Sequence, residues 1–163
     1  SAPHRAEQSW VNRAFDAEAA LDRALLVCDA PARQRRLRIE FGDRAGPTMV
    51  DGEQDRLCQV FINLITNAIK YNDASDAVLR VSSSVGRGTY LVEFADNGSG
   101  IARSECKIIF EKFSRGQRGA GQNGAGLGLA ISRQIITRMR GTLELAQGPL
   151  PGACFRVRLP VRR

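Results

Sequence analysis

Apolar residues recur three and four positions apart along two long stretches of the chain, the spacing of a helix with one buried face. In the first, Phe15 to Arg36, Leu21, Ala24, Leu25 and Cys28 carry the period; in the second, Gly52 to Tyr71, Leu57, Val60, Phe61, Leu64, Ile65 and Ala68 form one stripe. A third helix is predicted from Gly126 to Arg140, and a short helical stretch from Arg103 to Glu111. Alternating patterns predict strands at Leu37 to Phe41, Thr48 to Val50, Val78 to Ser84, Tyr90 to Ala95, Thr142 to Gln147 and Ala153 to Leu159. Gly86-Arg87-Gly88 and Gly148-Pro149-Leu150-Pro151-Gly152 supply the turns between the last two strand pairs. The glycine-rich run from Ser114 to Gly124 reads as a mobile loop. Residues 1–13 are polar and without period, a linker or the remnant of a preceding element, which leaves residues 14–163 as one domain. This order of elements predicts a two-layer α/β sandwich, a mixed and mostly antiparallel sheet with about three helices on one face.

Composition narrows the picture. A chain of 163 residues has room for a single core, and 43% hydrophobic with 25% charged residues describes a folded, soluble chain. No run reaches the length of a membrane span, and the first residues lack the apolar stretch of a signal peptide. Cys28, Cys58, Cys106 and Cys154 lie far apart with one histidine in the chain, which argues against a zinc site and for reduced, mostly buried thiols. The net charge of +7 gathers in arginine clusters, but no aromatic residues alternate with them as a single-strand platform requires, so nucleic acid is not expected as a partner.

Three short segments carry candidate chemistry. On the second long helix Asn63, Asn67 and Lys70 follow i, i+4, i+7 and share one edge beside the apolar stripe. Two amides and a cation there make either a solvated edge or a site with a metal-coordinating oxygen and a phosphate-directed ammonium. Asp96-Asn97-Gly98-Ser99-Gly100-Ile101, directly after a strand, presents a carboxylate beside two glycines. A fixed carboxylate accepts from an exocyclic amine, and glycine lets backbone approach a flat ring, so the segment suits adenine; alone it also reads as a tight loop. Gly124-Ala125-Gly126-Leu127-Gly128-Leu129 opens the third helix, where unpaired N–H groups and the helix dipole favour phosphate.

Taken in order, these segments resemble the nucleotide-binding boxes of the histidine kinase family, within the larger group of gyrase, Hsp90 and MutL. The likeness spans roughly Leu21 to Leu159, with Phe110-Glu111-Lys112-Phe113-Ser114-Arg115-Gly116 similar to the family's F box. The resemblance implies a Bergerat-type fold with a mobile ATP lid spanning about Ser114 to Asn123. It implies that Asn67 holds Mg²⁺ on the triphosphate and that Lys70, Arg115 and Arg118 meet phosphate oxygens. Asp96 takes the adenine amine, with Gly98, Gly100 and Ile101 beside it and Tyr71 near the base. Phe110 and Phe113 anchor the lid, and the segment from Gly124, Ala125, Gly126 and Leu127 to Gly128 and Leu129 closes the phosphate end.

Where hydrolysing relatives place a water-activating Glu, this chain has Asn63, which is no general base, so transfer to another nucleophile fits better than hydrolysis. The implied activity is ATP-dependent phosphorylation of a histidine on a separate helical dimerisation domain, followed by transfer to a response regulator receiver domain. A cytoplasmic setting is implied, with a parent protein that could be membrane-anchored, and an isolated domain that is monomeric. The competing readings are a nucleotide-binding or protein-interaction module without kinase activity, and an ATP hydrolase of the gyrase or Hsp90 type. His4, followed by Arg5 in the polar end segment, is not expected to be the acceptor. The turn Gly148 to Gly152 departs from the family's usual Ser-x-x-Gly-x-Gly-Thr style and is given no functional weight at this point.

Overall fold

The computed structural model describes residues 10–100, 110 and 123–163, with the backbone alone for 123–127. Its elements are β1 (Arg13–Asp16), α1 (Ala17–Gln34), β2 (Arg38–Phe41), β3 (Met49–Gly52) and α2 (Gln54–Tyr71). They continue with β4 (Val78–Gly86), β5 (Thr89–Asp96), α3 (Asn123–Arg138), β6 (Thr142–Ala146) and β7 (Cys154–Pro160). Five strands form one sheet in the order β2-β4-β5-β7-β6. Only β2 runs parallel to its neighbour β4, and every other pairing in it is antiparallel. The predicted two-layer α/β sandwich with a mixed, mostly antiparallel sheet is the observed class.

The core lies between the sheet and the helices. Leu21 and Ala24 of α1, Leu57, Phe61, Leu64 and Ile65 of α2, and Ile136 of α3 are buried against Val81, Tyr90, Val92, Phe94, Val157 and Leu159. The rings of Phe61 and Phe94 meet at 5.7 Å with a tilt of 39°, joining helix to sheet at the centre. Each fully buried side chain of this size stabilises the fold by ~1.5–3 kcal/mol relative to exposure.

Two features depart from the sequence reading. The first helix begins at Ala17, two residues later than expected, because residues 13–16 form a strand. β1 pairs antiparallel with β3 in a small separate sheet, Arg13 opposite Gly52 and Asp16 opposite Met49. Asp16 ends that strand and caps α1: its Oδ1 accepts from the Glu18 amide at 3.0 Å and from the Thr48 amide at 2.9 Å. Four residues without a long apolar alternation could not announce a strand whose partner lies some 35 positions on. The second departure is the start of α3 at Asn123, so Asn123 and Gly124, read as loop, are helical. The expected short helix at 103–111, apart from Phe110, and the rest of the expected lid lie outside the described residues.

Ahead of β1, Trp10 already packs on the body. The Arg138 guanidinium sits 4.6 Å from its ring centre and that of Arg56 5.8 Å. Cys28, Cys58 and Cys154 are buried free thiols, and burial raises the pKa of each. Cys106 lies outside the described residues.

Candidate functional site

Helix α2 forms the spine of the site. Its apolar stripe faces the core, and Asn63, Asn67 and Lys70 lie along the polar edge beside that stripe. At one end of this edge, the Asn63 amide donates to Ser132 Oγ at 3.1 Å and to the Gly128 carbonyl at 3.4 Å, while its oxygen accepts from Gln59 at 2.8 Å. Asn63 therefore touches the first turns of α3. At the other end, Asn72 follows the last residue of α2, and its amide donates to the side-chain oxygen of Asn97 at 3.0 Å. Asn67 and Lys70, one and two turns beyond Asn63, stand between these two contacts.

Asn67 is half-buried and Lys70 exposed, and among the described residues neither side chain makes a hydrogen bond or ion pair. Tyr71, at the end of the helix, is 43% exposed, available to a ligand rather than used in packing. Gly128 is not required by the packing seen here, since a Cβ on it would meet only the Asn63 amide at 3.8 Å, an ordinary contact. Leu129 is buried in the core. Gly124, Ala125, Gly126 and Leu127 lie in the first turns of α3, whose leading N–H groups have no intrahelical acceptor.

Asp96 ends β5 and is half-buried. Its Oδ1 accepts from the Gly98 amide at 2.9 Å and from the Ala153 amide at 3.2 Å. Burial pushes the carboxyl above the ordinary aspartate range, while those two N–H groups pull the other way. Gly98 packs against Asp96 and Asn72, and Gly100 adopts φ +84, a left-handed conformation suited to glycine.

The loop is anchored by side chains that sequence reasoning missed. Asn97 Oδ1 accepts from the Val78 amide at 2.8 Å, and its Nδ2 donates to the Asp76 carbonyl at 2.8 Å. Asp73 accepts from the Ser99 amide at 3.0 Å, and hydrogen bonds from Ser99 hold its carboxyl below the ordinary aspartate value. Asn72, Asp73 and Asp76 after α2 were visible in the sequence, but their partners in this loop lie more than twenty residues away.

The β6–β7 turn, set aside above, reaches the same carboxylate. The Gly152 amide donates to the Asp96 carbonyl at 2.9 Å, and the Asp96 amide donates to the Ala153 carbonyl at 2.9 Å. Ile101, Phe113, Arg115 and Arg118 lie outside the described residues. Phe110 is buried, edge-on to Phe155 at 6.1 Å and beneath the Arg133 guanidinium at 4.5 Å.

Comparison with known proteins agrees with this geometry. Residues 52–163 match the model of the family described as Histidine kinase-, DNA gyrase B-, and HSP90-like ATPase. The signal transduction histidine-protein kinase BaeS of Escherichia coli is 34% identical over 131 residues, 79% of this chain and 28% of that protein. The C4-dicarboxylate transport sensor protein DctB of Rhizobium meliloti is 38% identical over 133 residues, 76% of this chain and 21% of that protein. The chain thus spans about a quarter of these relatives.

Among solved structures, the mycobacterial sensor histidine kinase MprB superposes with a TM-score of 0.75 at 26% identity, over 93% of this chain and 99% of that one. The ATP binding domain of PrrB from Mycobacterium tuberculosis gives 0.73 at 28% identity, over 93% and 98%. Full-length ShkA in complex with AMPPNP gives 0.75 at 25% identity, over 94% of this chain and 31% of that one. The chain belongs to the histidine kinase, DNA gyrase B and HSP90-like ATPase family, on the branch of the sensor histidine kinases.

Proposed function

We propose that this chain binds Mg-ATP and delivers the γ-phosphoryl group to a histidine on a separate helical dimerisation domain, from which a response regulator receiver domain takes it. The observation that carries the reading is the placement of Asn67 and Lys70 between the glycine-rich start of α3 and the Asp96 loop. A purine held at Asp96 would lay its phosphates along α2 toward α3. Lys70 offers its ammonium to their oxygens, and the leading amides of α3 offer N–H groups to the same charge. Arg115 and Arg118 belong to the proposed phosphate contacts, and Ile101 and Phe113 to the walls of the pocket. PrrB, an ATP binding domain, and ShkA, solved in complex with AMPPNP, support the nucleotide reading by similarity.

Asn67 suits the magnesium role. Its side-chain oxygen has no competing donor among the described residues, and magnesium typically takes one or two protein oxygens, completing its shell with phosphates and water. When bound, the ion would neutralise phosphate charge. The remaining work of the chain is positioning. In the transfer the bond from the γ-phosphorus to the β–γ bridging oxygen breaks, a bond to the imidazole nitrogen forms, and ADP leaves. Asn63 takes no proton in this step; its amide is spent on Gln59, Ser132 and Gly128, which disfavours the hydrolase reading.

Among the described residues no helix is long and apolar enough to cross a membrane. The module would act in the cytoplasm, where ATP is supplied. Calorimetric titration with a non-hydrolysable ATP analogue, with and without Mg²⁺ and against GTP, tests the pocket. Adding a helical acceptor domain in trans and assaying phosphohistidine tests the transfer. A folded chain that binds no nucleotide would leave the interaction-module reading in its place.

A further inference from the structure

The two carboxylate oxygens of Asp96 are in different situations. Oδ1 accepts from Gly98, on its own loop, and from Ala153, which reaches it from the β6–β7 turn. Oδ2 accepts no hydrogen bond from the described residues. The turn is fitted closely to this arrangement. A Cβ on Gly152 would come within 2.6 Å of the Asp96 carbonyl oxygen and 2.7 Å of the Gly98 nitrogen, and nearer still to Oδ1. No side chain fits there without displacing the aspartate.

We propose that Gly152 and Ala153 are positioning residues that set base specificity, by pinning Oδ1 of Asp96 so that Oδ2 alone faces the ligand as one fixed acceptor. The proposal rests on the reading of this pocket as a purine nucleotide site. A fixed acceptor demands an N–H on the ligand, which a 6-amino purine carries at that edge and a 6-oxo purine replaces with a carbonyl.

The pinning has a consequence that a freely turning side chain would not share. An asparagine at position 96 must keep its oxygen on the two backbone N–H groups, because an NH₂ group cannot accept from them. Its NH₂ then faces the ligand, mismatched to a 6-amino group and matched to a 6-oxo group. Were the side chain free to turn, the same asparagine would offer its oxygen to the 6-amino group and ATP binding would survive.

The experiment is calorimetric titration of the wild-type chain, Asp96→Asn and Gly152→Ala with ATP and with inosine triphosphate, each with Mg²⁺. Wild type should prefer ATP by at least ~10-fold, the scale of one mismatched buried hydrogen bond. Asp96→Asn should lose ATP affinity by at least ~10-fold and bind inosine triphosphate more tightly than ATP. Gly152→Ala should bring the ratio of the two affinities toward one. A folded Asp96→Asn variant that holds ATP within about threefold of wild type overturns the pinning. A folded Gly152→Ala variant with the wild-type ratio overturns the role of the turn. If Gly152→Ala does not fold, Asp96→Asn, which adds no bulk, still decides whether Oδ1 is pinned. Wild type that binds neither nucleotide overturns the pocket reading and the proposal together, whereas wild-type binding with an unswitched asparagine variant overturns the proposal alone.

Discussion

The side-chain amide of Asn72 donates to the side-chain oxygen of Asn97 across 3.0 Å, tying the end of α2 to the loop that carries Asp96. The bond matters because its two partners sit on different halves of the candidate site. In the proposed nucleotide site, α2 would present Asn67 and Lys70 to phosphate, and the loop would present Asp96 to the base. Asn97 also accepts from the buried Val78 amide and donates to the Asp76 carbonyl, so it holds the start of β4 in the same network.

Asn97→Ala removes the acceptor of the Val78 N–H and should cost ~1–3 kcal/mol of stability, the penalty for an unsatisfied buried donor. Nucleotide affinity should fall as well, since the spacing between the two halves is no longer held. Urea unfolding and calorimetry on the same variant check both effects. A variant with unchanged stability and unchanged affinity would show that the network positions nothing.

Asn67→Ala should remove the magnesium-dependent part of nucleotide affinity and leave the magnesium-free part, because in the proposed site the amide oxygen would serve the ion and not the base. The variant should fold normally, as Asn67 holds no partner among the described residues. Titration of the analogue with Mg²⁺ and with EDTA separates the two parts. Equal magnesium enhancement in wild type and variant would remove Asn67 from the metal site.

Burial raises the Asp96 carboxyl above the ordinary aspartate value, despite its two backbone donors. With the folded value above the unfolded one, the ionised carboxylate opposes folding at neutral pH, and stability recovers as pH falls through the raised value. Asp96→Asn keeps an oxygen for the two N–H groups and removes the charge. It should therefore raise the thermal midpoint at pH 7, with the advantage fading toward acid pH. Thermal unfolding from pH 7 down to pH 4 measures this, and an asparagine variant less stable than wild type at pH 7 would contradict it.

Far from the site, Glu18 is buried and accepts from Tyr90 Oη at 2.5 Å, Ser83 Oγ at 3.0 Å and Arg44 Nε at 3.0 Å. Burial, with the Glu18 carboxylate beside it, pushes the Tyr90 hydroxyl far above its ordinary value, so it remains a donor at any working pH. Tyr90→Phe should cost ~1–3 kcal/mol by depriving a buried carboxylate of a donor, with nucleotide affinity unchanged. Denaturant unfolding paired with calorimetry separates the two readouts, and a matched loss of affinity would tie this cluster to the site.

Much of the framework was legible in the chain itself. The apolar stripe of α2 places Asn63, Asn67 and Lys70 on one edge, because a helix of 3.6 residues per turn leaves no other arrangement once Leu57, Phe61 and Leu64 face inward. Asp96 could be recognised at the end of its strand, and the glycine-dense segment as the opening of a helix, because those properties are local to a few residues. β1 escaped notice because a four-residue strand is defined by its pairing with β3 and not by its own pattern. The same holds for Asn72 meeting Asn97, for Asp73 meeting Ser99 and for Ala153 meeting Asp96, contacts that join residues more than twenty positions apart.

What the chain determined by itself was therefore which polar side chains share one helix edge and which stand beside glycines at the end of a strand, since periodicity and residue chemistry act within a turn or two of backbone. What only the tertiary structure decided was how those residues are held. The β6–β7 turn, unremarkable in sequence, grips one oxygen of Asp96, while the other accepts no hydrogen bond from the described residues. Hydrogen-bond direction depends on which backbone groups arrive from elsewhere in the sheet, and no local pattern specifies that.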